Sequence, residues 1–308
     1  MGPRRVAAID VGTNTVLLLV AEEDRTLGVH ALRPVLERAT ITRLGQGVDA
    51  SGALAPQAVE RTRACLEGYA RDISTAGADR VAIVGTSAMR DARGGAELQA
   101  SISSLFGVEA RVLTGEEEAR LTFAGAVGGL ALTGVDEAAV FDIGGGSTEI
   151  VIGNVRGQAA PRFTRSFDIG SVRLTERHGE RMADIERAVR AELASVPRLP
   201  SAHPPIGVAG TVTTLAAVSL GLHRYDGARV HGHVMTADEI RRVVRELAAM
   251  DLETRRAARG MEPARADVIV AGGVIVQTLL ALWNSDSLVV SDRGVRWGLA
   301  GQLLQEPA

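Results

Sequence analysis

A chain of 308 residues, 46% apolar and 23% charged, has the composition of ordinary globular protein and is long enough for two domains, each with its own core. No apolar run approaches the roughly 18 residues of a membrane span, and a net charge of −3 gives no long-range attraction for polyanions, so neither membrane nor nucleic acid is an expected partner. Every basic residue is arginine; without lysine, Walker A NTPases, protein kinases and Schiff-base enzymes are excluded.

The first stretch, Val6 to Glu22, reads as two β-rich runs joined by a tight turn at Gly12 to Asn14, a hairpin. Asp10 and Asn14 interrupt its apolar character and no small-residue cleavage site follows, so a signal peptide is not expected. Apolar side chains at helical spacing (Val59, Cys65, Leu66, Tyr69, Ile73) mark a helix over Ala55 to Ala76, and Arg80 to Ala88 reads as a buried strand. Cys65 is the single cysteine, which excludes an internal disulfide and cysteine-built metal sites and suits a reducing cytoplasm. A helix over "ARGGAELQASISSLFG", a strand over "VEARVLTG" and a helix opening on Glu116, Glu117 and Glu118 complete the first half; an acidic first turn suits the helix dipole.

The pattern then restarts. "AAVFDIGGGSTEIVIGN" is again strand, glycine turn, strand, followed by helices over "MADIERAVRAELASV", "TVTTLAAVSLG" and "TADEIRRVVRELAAM", with a strand at "PIGVAG". "ADVIVAGGVIVQTLLALWN" and "SLVVSDRGVRWGLAGQLLQ" each read as strand, turn and helix. The expected division is 1–122 and 123–308, two α/β halves.

Ile9-Asp-Val-Gly-Thr-Asn14 and Phe141-Asp-Ile-Gly-Gly-Gly146 are matched copies of one turn, an aspartate between apolar residues, then glycine, then hydroxyls. Glycine lets backbone amides converge without a Cβ between them, and such a nest binds an anion such as phosphate. Thr13, Asn14, Gly144, Gly145, Gly146, Ser147 and Thr148 are therefore assigned to a phosphate cradle. A third turn, Gly207 to Thr214, leads into a helix whose free N–H groups favour negative charge, which adds Gly210 and Thr211. A fourth, Ala271-Gly-Gly-Val274, reads the same way. His231 and His233 alternate on a strand without a third ligand, so no metal site is assigned to them.

The set "AIDVGTNTVLLLV", "GTSAMRDA", "TGEEEARLTF", "VFDIGGGSTEIVIG", "DIGSVRLTE", "GVAGTVTTLAA", "VHGH", "AGGVIVQTLL" and "VSDRGVRWG" resembles the exopolyphosphatase and guanosine pentaphosphate phosphohydrolase family of the actin-like superfamily, in that family's order from Ile9 to Gly298. The resemblance implies two actin-like (ribonuclease H-like) α/β domains with an interdomain cleft, Mg²⁺ dependence with Mn²⁺ as a substitute, and removal of a terminal phosphate from inorganic polyphosphate or guanosine pentaphosphate. It places the catalytic base on Glu118, the acidic metal pair on Asp142 and Glu149, and a phosphate-contacting arginine on Arg90. A carboxylate can orient and deprotonate water provided no arginine neutralises it, and hard carboxylate oxygens suit Mg²⁺. Asp10 either joins the metal site through water or caps its own turn. Arg165, Arg173, Arg293 and Arg296 are candidates to line a channel for the polyanion. Trp297 stands where longer relatives commonly carry glutamate. Family members are often dimers, so the resemblance admits a homodimer. An actin-like kinase and a non-enzymatic nucleotide sensor would use the same glycine turns; the kinase needs a base near an acceptor hydroxyl, and the sensor tolerates loss of Glu118.

Overall fold

The structure, a computed structural model, describes residues 4–23, 32–156, 160–199 and 203–306. It divides into two compact units, Met1–Gly128 with Val295–Ala308, and Gly129–Gly294. The sequence division at 122 and 123 falls inside a helix, Gly115–Gly128, and the helix Val295–Gln305 belongs with the first unit.

The first unit is built on strands β1 (Arg5–Val11), β2 (Thr15–Glu23), β3 (Leu32–Ile41), β4 (Arg80–Gly85) and β5 (Ala110–Val112), in the order β3-β2-β1-β4-β5. The first three form an antiparallel meander, and β4 and β5 add in parallel. Strand side chains alternate between faces. Ala7, Ile9 and Val11 of β1 therefore join one core with Leu66, Tyr69, Leu98 and Ile102 from the helices Pro56–Ala76 and Gly95–Phe106. Val6 and Ala8 join another with Leu121, Trp297, Leu299 and Leu303 from Gly115–Gly128 and Val295–Gln305. Burial on both faces explains why β1 and β2 read as nearly continuous apolar runs. By the same alternation Asp10 shares the face of Ala8, the face on which the Gly115–Gly128 helix packs. That helix and Val295–Gln305 approach closely because residue 298 is glycine; a Cβ there would sit 2.1 Å from the Leu121 carbonyl oxygen.

The second unit has strands β6 (Glu137–Ile143), β7 (Thr148–Asn154), β8 (Phe163–Phe167), β9 (Ile206–Val208), β10 (Val234–Thr236) and β11 (Ser287–Val290), in the order β10-β11-β9-β6-β7-β8. Three antiparallel strands, β6-β7-β8, are again extended in parallel by β9 and β11. Apart from β10, this repeats the order of the first sheet, so the duplicated turns belong to a duplicated α/β architecture. Its core joins Phe141, Ile143, Ile150 and Ile152 to apolar faces of the helices Met182–Glu192, Ala209–Ser219, Ala237–Ala249 and Ile269–Trp283.

Two expected elements differ: His231 and His233 lie in a turn ahead of β10 rather than on a strand, and the second difference is larger. Residues 266–284 hold no strand and no glycine turn; Ile269–Trp283 is one helix, with Ala271, Gly272, Gly273 and Val274 buried inside it. A Cβ at Gly272 would lie 2.6 Å from Thr211 Cγ2 and one at Gly273 2.5 Å from Val244 Cγ2. The glycines serve close helix packing. A helix apolar on all sides is a buried one, and its sequence imitates a strand.

Candidate functional site

The two hairpin tips share one geometry. In the first, the Gly12 amide donates to the Thr15 carbonyl at 3.1 Å; in the second, Gly144 donates to Ser147 at 3.0 Å. The carbonyls at each tip are held by the protein. Thr13 O accepts from the Gly45 amide, and Asn14 O accepts from the amides of Thr42 and Arg43. In the second tip, Gly144 O accepts from the Ser171 amide, Gly145 O from the amides of Val172 and Arg173, and Gly146 O from Arg173 Nε. No described peptide is cis, and in a trans peptide C=O and N–H point opposite ways. Anchoring those carbonyls therefore turns the amides of Asn14 and Thr15, and of Gly145, Gly146 and Ser147, toward the other side. The result in each unit is a row of amides of the kind that binds an anion. Gly170 is needed for the second anchor, since a Cβ there would lie 2.4 Å from Gly145 O.

The side chains at the tips are less uniform. Thr13 is buried, with Gly45 packed directly on its methyl group. Thr148 is fully buried and its hydroxyl donates to Ile169 O at 2.6 Å. Ser147 is buried, and Asn14 is half-buried.

The three glutamates of the Gly115–Gly128 helix separate by role. Glu116 is exposed and lies 3.8 Å from Arg120, one turn away. Glu117 closes a capping arrangement: its carboxylate accepts from the amide and hydroxyl of Thr114 at 2.9 Å each, and its own amide donates to Thr114 Oγ1. The Thr114 backbone hydrogen bond, helped by the Thr114 hydroxyl, holds the Glu117 carboxyl below the usual carboxylate range. Glu118 is 7% exposed. Arg90, from the short helix Ser87–Asp91 after β4, donates through Nη1 to Glu118 Oε2 at 3.2 Å and to Leu113 O at 3.0 Å, while its Nε reaches Asp91 at 3.2 Å. The structure thus brings Arg90 and Glu118 together. The carboxylate proposed as base is paired with the arginine proposed to bind phosphate, so the condition that no arginine neutralise it is not met in this arrangement.

In the second unit Asp142 of β6 and Glu149 of β7 are direct cross-strand partners. Both face away from the Phe141–Ile150 core, because Phe141, Ile143 and Ile150 take the alternate positions. Glu149 is 2% exposed and its Oε1 accepts from Ser166 at 2.6 Å. Two carboxylates directly opposite on antiparallel strands repel, and a cation relieves that repulsion. Among the described residues no three His, Cys, Asp or Glu converge as a metal cluster. A Mg²⁺ site that draws one or two carboxylates from the protein and its other ligands from water and phosphate still fits this pair.

Gly210 and Thr211 lie in the first turn of Ala209–Ser219, which follows β9 directly; Ala209 is left-handed at φ 68. Thr211 Oγ1 lies 3.5 Å from Ile143 O, at the end of β6. The space a side chain at 210 would fill is taken by the Arg265 guanidinium, whose Nη1 is 1.0 Å from that Cβ position. Burial pushes the pKa of Arg265 down, with Glu262 and Tyr225 opposing. Sequence reading missed this cation, which lies 55 positions downstream of the glycine it covers.

The other arginines have protein partners. Arg165 donates to Ser195 Oγ at 2.8 Å and lies over the Phe167 ring, and Arg296 pairs with Glu37 at 2.6 Å. Arg293 packs against Gly129. Trp297 is 5% exposed in the first unit's core. Both ring nitrogens of His231 face protein groups, Nδ1 lying 3.1 Å from Asp292 Oδ1 and Nε2 2.7 Å from Gly129 O.

Each unit carries an amide row of the kind that binds an anion, and the first adds a buried glutamate held by an arginine, features that suit an α/β protein handling phosphoryl groups. The chain belongs to the Ppx/GppA phosphatase family, which matches residues 19–306. It is 39% identical to exopolyphosphatase 2 of Mycobacterium tuberculosis, over 97% of this chain and 98% of that protein. A solved exopolyphosphatase-like protein superposes with a TM-score of 0.88 at 32% identity, covering 97% of this chain and 99% of that one. The Aquifex aeolicus Ppx/GppA member gives 0.81 at 32% identity, with both chains fully covered.

Proposed function

We propose that the protein is an exopolyphosphatase that hydrolyses the terminal phosphoanhydride of inorganic polyphosphate. Identity to a curated exopolyphosphatase over essentially the whole chain supports the substrate class. The observation that carries the chemistry is the contact between Arg90 and Glu118 on a buried carboxylate. A guanidinium fork matches phosphate oxygens bidentately. An arriving terminal phosphate competes for Arg90, which loosens its hold on Glu118 and leaves that carboxylate to orient water and accept its proton. The water oxygen then bonds to phosphorus as the bridging P–O bond breaks, and the shortened chain leaves with the electron pair. In the first unit the amides of Asn14 and Thr15 offer donors to phosphate oxygens; the second unit carries its own cradle in the amides of Gly145, Gly146 and Ser147, with the Arg265 cation beside Gly210.

Asp142 and Glu149 would hold Mg²⁺. Bound there, the ion neutralises phosphate oxygens and lowers the charge the attacking water meets. The single cysteine accords with action in the reducing cytoplasm.

The test is phosphate release from purified protein offered polyphosphate of several lengths, guanosine pentaphosphate and ATP in parallel, with Mg²⁺, Mn²⁺ or EDTA. Release from polyphosphate that EDTA abolishes is expected. Release from guanosine pentaphosphate alone moves the assignment to that nucleotide, and no release from any of the three returns the protein to the sensor reading.

A further inference from the structure

Arg173 sits among the arginines that could line a substrate channel, yet its guanidinium is turned inward. Its side chain is 16% exposed, Nε donates to the Gly146 carbonyl at 2.7 Å, and Nη2 lies 3.9 Å from Asp168, itself exposed. The backbone around it does the same for the preceding peptides: the amides of Ser171 and of Val172 and Arg173 hold Gly144 O and Gly145 O at 2.9 to 3.1 Å. Three consecutive carbonyls of the triple-glycine turn are thus held from behind by one helix start, Ser171–His178, and one side chain. Glycine is the residue least able to hold a conformation by itself. Three in a row need an outside constraint, and the last peptide, Gly146–Ser147, receives its constraint from a side chain.

We infer that Arg173 is a positioning residue for the phosphate cradle: by holding Gly146 O it fixes the Ser147 amide toward the bound phosphate, and it does not itself contact the polyanion. This rests on the reading of the triple-glycine turn as the phosphate site. The consequence is a dependence on chain length. A brace acts on the terminal phosphate, so its loss weakens short and long substrates by the same factor, whereas a channel contact matters only for chains long enough to reach it.

The experiment compares Arg173→Met, Arg173→Lys and Gly146→Ala, measuring KM and kcat on triphosphate and on long-chain polyphosphate, inhibition by inorganic phosphate, and melting temperature. A hydrogen bond from a charged donor has a net worth of about a factor of ten or more in an equilibrium constant. Arg173→Met is therefore expected to raise KM about tenfold on both substrates and to weaken phosphate inhibition equally. Arg173→Lys, which keeps a donor, restores KM to within about threefold. A loss confined to long chains, or no loss at all in a folded Arg173→Met protein while Gly146→Ala weakens phosphate binding, overturns the brace. If Gly146→Ala leaves phosphate inhibition and KM unchanged, the cradle reading fails first and the brace with it.

Discussion

Replacing Gly170 by alanine would set a Cβ 2.4 Å from the Gly145 carbonyl oxygen and 2.5 and 2.6 Å from the carbonyl carbons of Gly145 and Gly146. Unbonded heavy atoms prefer about 3.5 Å or more, so the two segments must separate by about 1 Å. All three obstructing atoms are backbone of the cradle, so no side chain can swing aside. Overpacking of this kind costs about 1–3 kcal/mol, which a protein of ordinary stability survives. Catalysis is more sensitive, because about 1 Å of misplacement lowers rate about 100-fold, equivalent to about 2.7 kcal/mol at the transition state. The assay is kcat/KM for phosphate release alongside a melting curve. Gly170→Ala is expected to stay folded, melt a few degrees lower, and lose about two orders of magnitude in kcat/KM. A folded variant with kcat/KM within about threefold of the parent would refute the claim that this turn positions the reacting phosphate.

Arg255 is 1% exposed and holds the carbonyls of Leu247, Met250 and Ala266 together with the Glu180 carboxylate. Arg255→Met orphans three carbonyls, so a loss of about 3–5 kcal/mol is expected, read as a melting temperature lower by roughly 10 °C. Glu117 has its folded pKa depressed, so its contribution is present above the unfolded carboxylate range and is lost as pH falls through the folded value. Glu117→Gln should therefore be slightly less stable than the parent at pH 7 and indistinguishable from it in strong acid. The difference is small because the carboxylate is 36% exposed and screened; a gap that widens toward acid would contradict it.

The hairpins at residues 10 and 142 were readable because aspartate, glycine and hydroxyls between apolar runs leave few alternatives to a tight turn. The helix Pro56–Ala76 was readable from its periodicity, and its start coincides with a proline at the first position. Other elements carry weaker local signals. β3 is an edge strand, mostly exposed and interrupted by Pro34 and the charges of Arg33, Glu37 and Arg38, so it shows neither the alternation of a half-buried strand nor the apolar run of a buried one. Ile269–Trp283 misled in the opposite direction, since full burial erased helical periodicity and the glycines that permit close packing look like a turn. At the site, residue types were legible and pairings were not. Arg90 meets Glu118 across 28 positions, Arg173 meets Gly146 across 27, and Arg265 meets Gly210 across 55. Each contact follows from how strands and helices are stacked, which local pattern does not encode.

Glu118→Gln keeps the shape and the Arg90 hydrogen bond while removing the acceptor for water's proton. Phosphate release from polyphosphate, measured with substrate binding on the same sample, is expected to fall by at least about 100-fold with binding within about threefold of the parent. Equal turnover by the two proteins would show that this carboxylate does not activate the water, and the account of the chemistry would fall with it.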